Sequence, residues 1–184
     1  MQNDFCEGGS LAVSGGSLLA KQLSEFLYSD AQQTYRHILA TRDAHINPKE
    51  HFSETPDYID TWPVHCIYES HGYQIHPDLK TYPFNAIFNK GAYQAAYSGF
   101  EGRDTQGISL DKWLTNHEVT HVDIAGLALD FCVKETVFDA LTLGYKVRLI
   151  ADLCCAVRPE NTDDTLEILQ KHGAEIIKTQ AVHP

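Results

Sequence analysis

Residues 121–144 read HVDIAGLALDFCVKETVFDALTLG, and this stretch decides how the chain folds. It opens as an apolar run closing on Gly126, with the length and composition of a buried strand. After a short turn, Val133, Val137, Ala140 and Leu141 recur at helical spacing. Asp130 stands where an N-cap belongs, and Gly144 lies just past the end as a stop. A strand that turns directly into a helix is the repeating unit of an α/β fold. The spacing also puts Cys132 in the first helical turn, where unpaired N–H groups and the positive dipole end favour a thiolate over a thiol. A lone cysteine is commonly just a buried structural residue. Its position at a strand-to-helix turn favours chemistry, because open α/β sheets gather reactive groups at the carboxyl ends of their strands.

Strand and helix alternate outward from this unit. The opening loop is punctuated by Asn3, Asp4, Gly8, Gly9, Gly15 and Gly16. A helix is predicted from Ser17 to about Ala31, with Leu18, Leu19, Leu23, Phe26 and Leu27 on its buried face. Strands are predicted at Arg36 to Thr41, Ala86 to Phe88, Lys146 to Ala151 and Glu175 to Lys178. Helices are predicted at Leu110 to His117 and Pro159 to His172, and a Gly- and Tyr-rich loop at Tyr93 to Gly107. The pattern implies a single α/β domain over 1–184, a doubly wound parallel sheet with helices on both faces. Between about 42 and 79 lies a loop-rich insertion with Pro48, Pro56, Pro63 and Pro77, too long for a simple connection and so expected to be functional. Domains of this kind open on a buried strand, whereas Gln2 to Gly9 read as such a strand's exit. The first strand is therefore expected to be missing from this chain.

The chain has 184 residues, enough for one core without disulfide staples. With 14 basic against 25 acidic residues, its formal net charge is -11 when histidine is neutral. That balance argues against nucleic acid and anionic membrane as partners. Apolar runs fall well short of a bilayer span and the first residues are not signal-like, so a cytoplasmic protein is expected. The five cysteines, an odd number with no CxxC spacing, point to reduced thiols.

Within the insertion, RDAHINPKEHFS and WPVHC bring Asp43, His45, His51 and His65 close in sequence. Asp43 and His45 flank Ala44 and point the same way from an extended segment. Three imidazoles and one carboxylate suit zinc, iron or manganese and do not make a calcium loop. Spacing alone leaves open both a metal site and four loop residues that never meet. His37, His71, His76, His117, His121, His172 and His183 have no companion pattern. Lys90 ends a short strand at the same rim as Cys132, where an ammonium would favour the thiolate; a solvated lysine is the alternative. Phe5, Trp62, Tyr93, Tyr97 and Phe100 offer flat walls for a planar substrate, or simply core.

In chain order, QNDFCEGGSLAV, RDAHINPKEHFS, WPVHC, FNKGAYQAAYSGFEG and GLALDFCVKETVFDALTLGY resemble the nicotinamidase/pyrazinamidase branch of the isochorismatase-like cysteine hydrolases, over almost the whole chain. The resemblance implies hydrolysis of nicotinamide to nicotinate and ammonia, and of pyrazinamide likewise, through a cysteine thioester in NAD salvage. It implies Cys132 as nucleophile and Lys90 as the triad lysine. Asp43, His45, His51 and His65 match ligands of one divalent metal, zinc first, with iron or manganese as alternatives. Phe5 and Trp62 match pocket walls, with Tyr97 beside them. The Leu127–Ala128 bond matches the family's cis peptide, which would aim the amides of Ala128 and Cys132 at an oxyanion. A homo-oligomer is compatible with the resemblance. One position departs from the pattern: the family's catalytic aspartate ends the first strand, two residues ahead of Gln-Asn-Asp-Phe, and here would fall immediately before Met1. Asp4 belongs to the next block and does not replace it. Two other readings stay open, a cysteine hydrolase of another small amide and an N-terminally truncated, non-catalytic metal-binding remnant.

Overall fold

The computed structural model describes residues 1–182, so His183 lies outside the described residues. Among the described residues five strands alternate with helices, and every strand pair is parallel. β1 (Leu39–Asp43) pairs with β2 (Ala86–Lys90), while β3 (His121–Leu127), β4 (Lys146–Cys155) and β5 (Glu175–Ile177) run side by side in that order. The fold is the predicted α/β class. Its described strands hydrogen-bond as two sheets, one of two strands and one of three.

Residues of β4 show why helices must cover both faces. Val147 and Leu149 point into one cluster with Leu114, Val133, Val137, Ala140 and Leu169; this cluster takes in α3 (Leu110–Asn116), α4 (Lys134–Thr142) and α5 (Thr162–Lys171). Ile150 and Leu153 point into the other, against Leu19, Ala20 and Leu23 of α1 (Gly16–Leu27). A parallel strand flanked in this way is apolar on both sides, which is why LIADL lacks the alternation of an edge strand. The amino end of α1 is held by Glu7, whose carboxylate accepts the N–H groups of Gly15 and Ser17, each at 2.7 Å. Among the described residues no helix is long and apolar enough to cross a membrane.

Several boundaries differ from the sequence expectation for local reasons. α1 stops at Leu27, because Ser29 turns back onto the Phe26 carbonyl and starts a separate 3-10 turn, Asp30–Thr34. β1 and β2 run on to Asp43 and Lys90, which face each other in register. β4 is longer than predicted because β3 pairs with it twice, shifting register between Ile124 and Gly126; Gly126 takes a φ of 125°, open to glycine and rarely to other residues. The insertion carries only a 3-10 turn, Lys49–His51, and the short α2 (Pro77–Lys80). The segment bearing Cys132 is a π-turn, Leu129–Val133, ahead of α4, not the first turn of that helix; the Val133 N–H reaches the Ala128 carbonyl five residues back at 3.0 Å. Asp130 is not its N-cap. Its carboxylate accepts the N–H groups of Val157 at 2.8 Å and Arg158 at 3.0 Å, tying this turn to the exit of β4.

Candidate active site

The carboxyl ends of β1, β2 and β3 converge on one cleft. Asp43 and Lys90, register partners at the ends of β1 and β2, are each 5% exposed. The Lys90 ammonium hydrogen-bonds Asp43 Oδ1, donates to the Ala96 carbonyl at 2.7 Å, and lies 3.5 Å from Cys132 Sγ. Two sequence blocks 42 residues apart, FNK and DFC, thus meet at one ammonium and one thiol.

His45, His51 and His65 come together because the insertion folds back on itself through main-chain bonds. The His45 N–H donates to the Cys66 carbonyl at 3.0 Å, and the Trp62 N–H to the His51 carbonyl at 2.8 Å. All three imidazoles are buried, and each brings a ring nitrogen within 4.8 Å of the others. Asp43 joins from the side, its Oδ2 3.9 Å from His45 Nε2 and 4.0 Å from His65 Nε2. Gly91 allows His45 this close to the chain, since a Cβ there would sit 2.7 Å from the ring.

Whether these residues suit a cation can be read from their free atoms. The Nδ1 of His45 donates to the Gly91 carbonyl at 2.6 Å and that of His65 to the Pro63 carbonyl at 2.7 Å, which leaves both Nε2 atoms as lone-pair acceptors turned inward. Among the described residues His45 Nε2 and His51 Nδ1 are buried without a hydrogen-bond partner. Buried polar atoms rarely stay unpaired. Three neutral imidazoles with a carboxylate beside them form a borderline donor set that fits zinc, iron or manganese.

The electrostatics agree with that state. Burial, aided by the neighbouring rings of His45 and His65, pushes His51 down to about 4. Burial also lowers His45 and His65, so all three are neutral near pH 7. For Asp43, burial works toward protonation, but Lys90 and His45 overcome it and hold the carboxyl below its ordinary range. Lys90 is raised in turn, because Asp43 and Cys132 outweigh the burial that would discharge it. Cys132 ends on the other side of the balance: burial raises the thiol and Lys90 only partly offsets this. Desolvation in the π-turn therefore outweighs the helix start, and Cys132 is not the ready thiolate that its place in the sequence suggests.

A narrow cleft opens beside these groups. Asp43, His51, His65 and Cys132 form its polar end, and Phe5, Trp62, Tyr97 and Phe131 its flat walls. Trp62 donates its indole N–H to the Tyr97 hydroxyl at 2.9 Å and meets Phe131 edge-on at 4.9 Å, so the walls brace one another. Leu127 and Ala128 line the floor, and the peptide between them is cis. Tyr93 is exposed and does not line the cleft, and Phe100 packs into the core. Phe131 and Val157 are lining residues that the sequence did not single out. The adjacency of Phe131 to Cys132 was the available signal; Val157 carried none. Asp4 accepts the Cys66 N–H at 2.7 Å and so braces the segment after His65. Among the other histidines, His37 and His117 pack on each other and on Trp113, away from the cleft residues.

Comparison with known proteins adds the family. The isochorismatase domain model matches residues 1–181. The Mycobacterium tuberculosis nicotinamidase/pyrazinamidase is 46% identical over 177 residues, covering 96% of this chain and 94% of that protein. The Pyrococcus horikoshii pyrazinamidase, solved in complex with zinc, superposes with a TM-score of 0.83 at 32% identity, covering 97% of this chain and 94% of that one. PnC1 of L. infantum, solved with nicotinate, gives 0.84 at 33% identity, covering 98% and 90%. With a cysteine at the strand-to-helix turn, a lysine beside it and three histidines across the cleft, this chain belongs to the isochorismatase-domain hydrolases, in their nicotinamidase/pyrazinamidase branch.

Proposed function

We propose that this chain hydrolyses nicotinamide to nicotinate and ammonia, and pyrazinamide in the same cleft, with Cys132 carrying the acyl group as a thioester. The observation that carries this reading is the shared cleft: Cys132 opens onto the same apolar slot as His51, His65 and Asp43. Flat walls supplied by Phe5, Trp62, Tyr97 and Phe131 suit a planar heteroaromatic ring, whose carboxamide would lie toward the sulfur. The zinc and nicotinate complexes of the two similar structures support the ligand class.

The chemistry follows from the groups at hand. The Cys132 sulfur bonds to the carboxamide carbon while the C=O pair moves onto oxygen. N–H groups of Ala128 and Cys132 would take up that charge, and loss of one such donor typically raises the barrier by about 3 kcal/mol. Nitrogen leaves as ammonia, carrying the proton that the thiol gave up. A water oxygen then displaces sulfur, which releases nicotinate and restores the thiol. In the pattern the chain resembles, the thiol's proton is carried by an aspartate that ends the first strand, ahead of the Gln-Asn-Asp-Phe block. Within this chain, Lys90 contributes the positive charge that favours the thiolate and steadies Asp43. A divalent metal held by His45, His51, His65 and Asp43, zinc first, would supply a Lewis-acidic point that binds the ring nitrogen or a water and fixes the ring. The reading includes a role in NAD salvage in the cytosol, in keeping with a nicotinamide substrate and first residues that are not signal-like.

The test is ammonia release by the zinc-loaded protein from nicotinamide, pyrazinamide and an aliphatic amide of similar size. The proposal expects release from the two ring amides, and its loss in Cys132→Ala at unchanged zinc content. Release from the aliphatic amide alone would move the substrate elsewhere. Zinc binding without release from any amide would favour a metal-binding protein that has lost turnover.

A further inference from the structure

The side chain of Gln2 meets Asp43 as a neighbouring strand would. Gln2 is 2% exposed; its Oε1 accepts the Asp43 N–H at 2.8 Å, and its Nε2 donates to the Asp43 carbonyl at 2.8 Å. The remaining Nε2 hydrogen goes to the Tyr73 carbonyl at 3.0 Å, so both donors of the amide are used. A primary amide carries the same donor and acceptor pair as a peptide unit, which lets one side chain pair with a single strand residue on both of its polar groups. Gln2 is itself anchored. It bridges to Ile75, the Asn3 N–H donates to the Gln74 carbonyl at 3.0 Å, and the His76 N–H donates to the Met1 carbonyl at 3.1 Å. On the other edge of β1, the Ala44 N–H donates to the Lys90 carbonyl at 2.9 Å. The end of the strand is therefore gripped from both sides at the residue whose carboxylate faces Lys90 and two imidazoles.

We propose that Gln2 is the positioning residue of the Asp43 carboxylate: by holding both main-chain polar groups of Asp43 it fixes the direction in which that side chain projects toward the histidines. With the main chain held, only two side-chain torsions remain free, and the ion pair to Lys90 restricts them further. Gln2 makes no hydrogen bond to the imidazoles and does not line the cleft; of its side chain's two partners, Asp43 and the Tyr73 carbonyl, Asp43 is the one that faces the histidines. The inference rests on the metal reading given above.

The test uses the full chain and zinc alone. Gln2→Met keeps the length of the side chain and removes all three hydrogen bonds. The zinc dissociation constant is measured by competition with a chromophoric chelator in the parent chain, Gln2→Met, Asp43→Ala and the double variant, with the metal-free thermal midpoint of each. Partners of this kind change metal affinity by 10- to 100-fold, and Gln2→Met is expected to weaken zinc by about tenfold. In the Asp43→Ala background the same substitution is expected to leave zinc affinity unchanged, although the midpoint falls in both backgrounds. A Gln2 that only supports the fold would lower the midpoint and either leave zinc affinity alone or weaken it equally with and without Asp43; both results overturn the proposal. If Gln2→Met does not fold, Gln2→Glu is read the same way, since it keeps an acceptor for the Asp43 N–H but sets an oxygen against two carbonyls. A parent chain that takes up no zinc overturns the metal reading along with this inference. Zinc binding that is unaffected by Gln2→Met overturns this inference alone.

Discussion

The ammonium of Lys90 lies 3.5 Å from the sulfur of Cys132 and is paired on its other side with the carboxylate of Asp43. One buried cation thus joins the thiol to the edge of the histidine group. Burial raises the thiol above the ordinary cysteine range, and Lys90 is the main group pulling it back. Lys90→Met should therefore raise the pH at which Cys132 becomes reactive. The rate of iodoacetamide labelling at Cys132, followed by mass spectrometry against pH, checks this; a midpoint that stays put or falls would count against it. The same substitution strands a buried carboxylate and should destabilise the fold by ~3–5 kcal/mol in denaturant melts.

Acid should destabilise the metal-free protein through the histidines. His51 falls from 6.5 in the unfolded chain to about 4 in the folded one, and His45 and His65 move the same way through burial. Between those values the unfolded state binds more protons than the folded state, so stability drops as pH falls from 6.5 toward 4. Zinc should make the drop steeper, since protonated imidazoles cannot ligate. Thermal midpoints across this range, with and without zinc, give the answer; a flat profile without metal would mean that these rings are not buried as neutral groups.

His51→Ala should lower bound zinc, read by elemental analysis after dialysis, and raise the nicotinamide concentration needed for half-maximal rate. An unchanged zinc stoichiometry at limiting metal would remove His51 from the ligand set.

Trp62 is 3% exposed and braces Tyr97 through its indole N–H. Trp62→Phe keeps an aromatic wall but leaves the Tyr97 hydroxyl without that donor. KM for nicotinamide should rise several-fold with kcat nearly unchanged, as expected for a contact made equally to ground and transition states. A fall in kcat at constant KM would instead tie Trp62 to the chemical step.

Much of the fold was legible because its cues are local. Val137 and Ala140 at helical spacing, apolar LIADL and the stop at Gly144 each act within a few residues. The π-turn at Cys132 was not legible, since a bond from residue 133 back to 128 leaves no periodic trace in so short a segment. Asp130 looked like an N-cap because its residue type suits one, yet its partners Val157 and Arg158 come from another strand's exit. For the site, residue type announced Asp43, His45, His51 and His65. Their meeting depends on isolated bridges, His45 to Ile67 and Phe52 to Trp62, within irregular chain. Gln2 read only as the start of a strand's exit, because its partner lies 41 residues away.

On this reading the Cys132 sulfur attacks a ring carboxamide held beside the three-histidine group. A crystal structure of the zinc-loaded protein soaked with nicotinaldehyde tests it most directly, because an aldehyde accepts the sulfur but has no amine to expel. The expected structure has a bond from Cys132 Sγ to the aldehyde carbon, the oxygen toward the N–H groups of Ala128 and Cys132, and zinc on His45, His51 and His65. An aldehyde bound without a bond to Cys132, or a zinc ion on other residues, would contradict it.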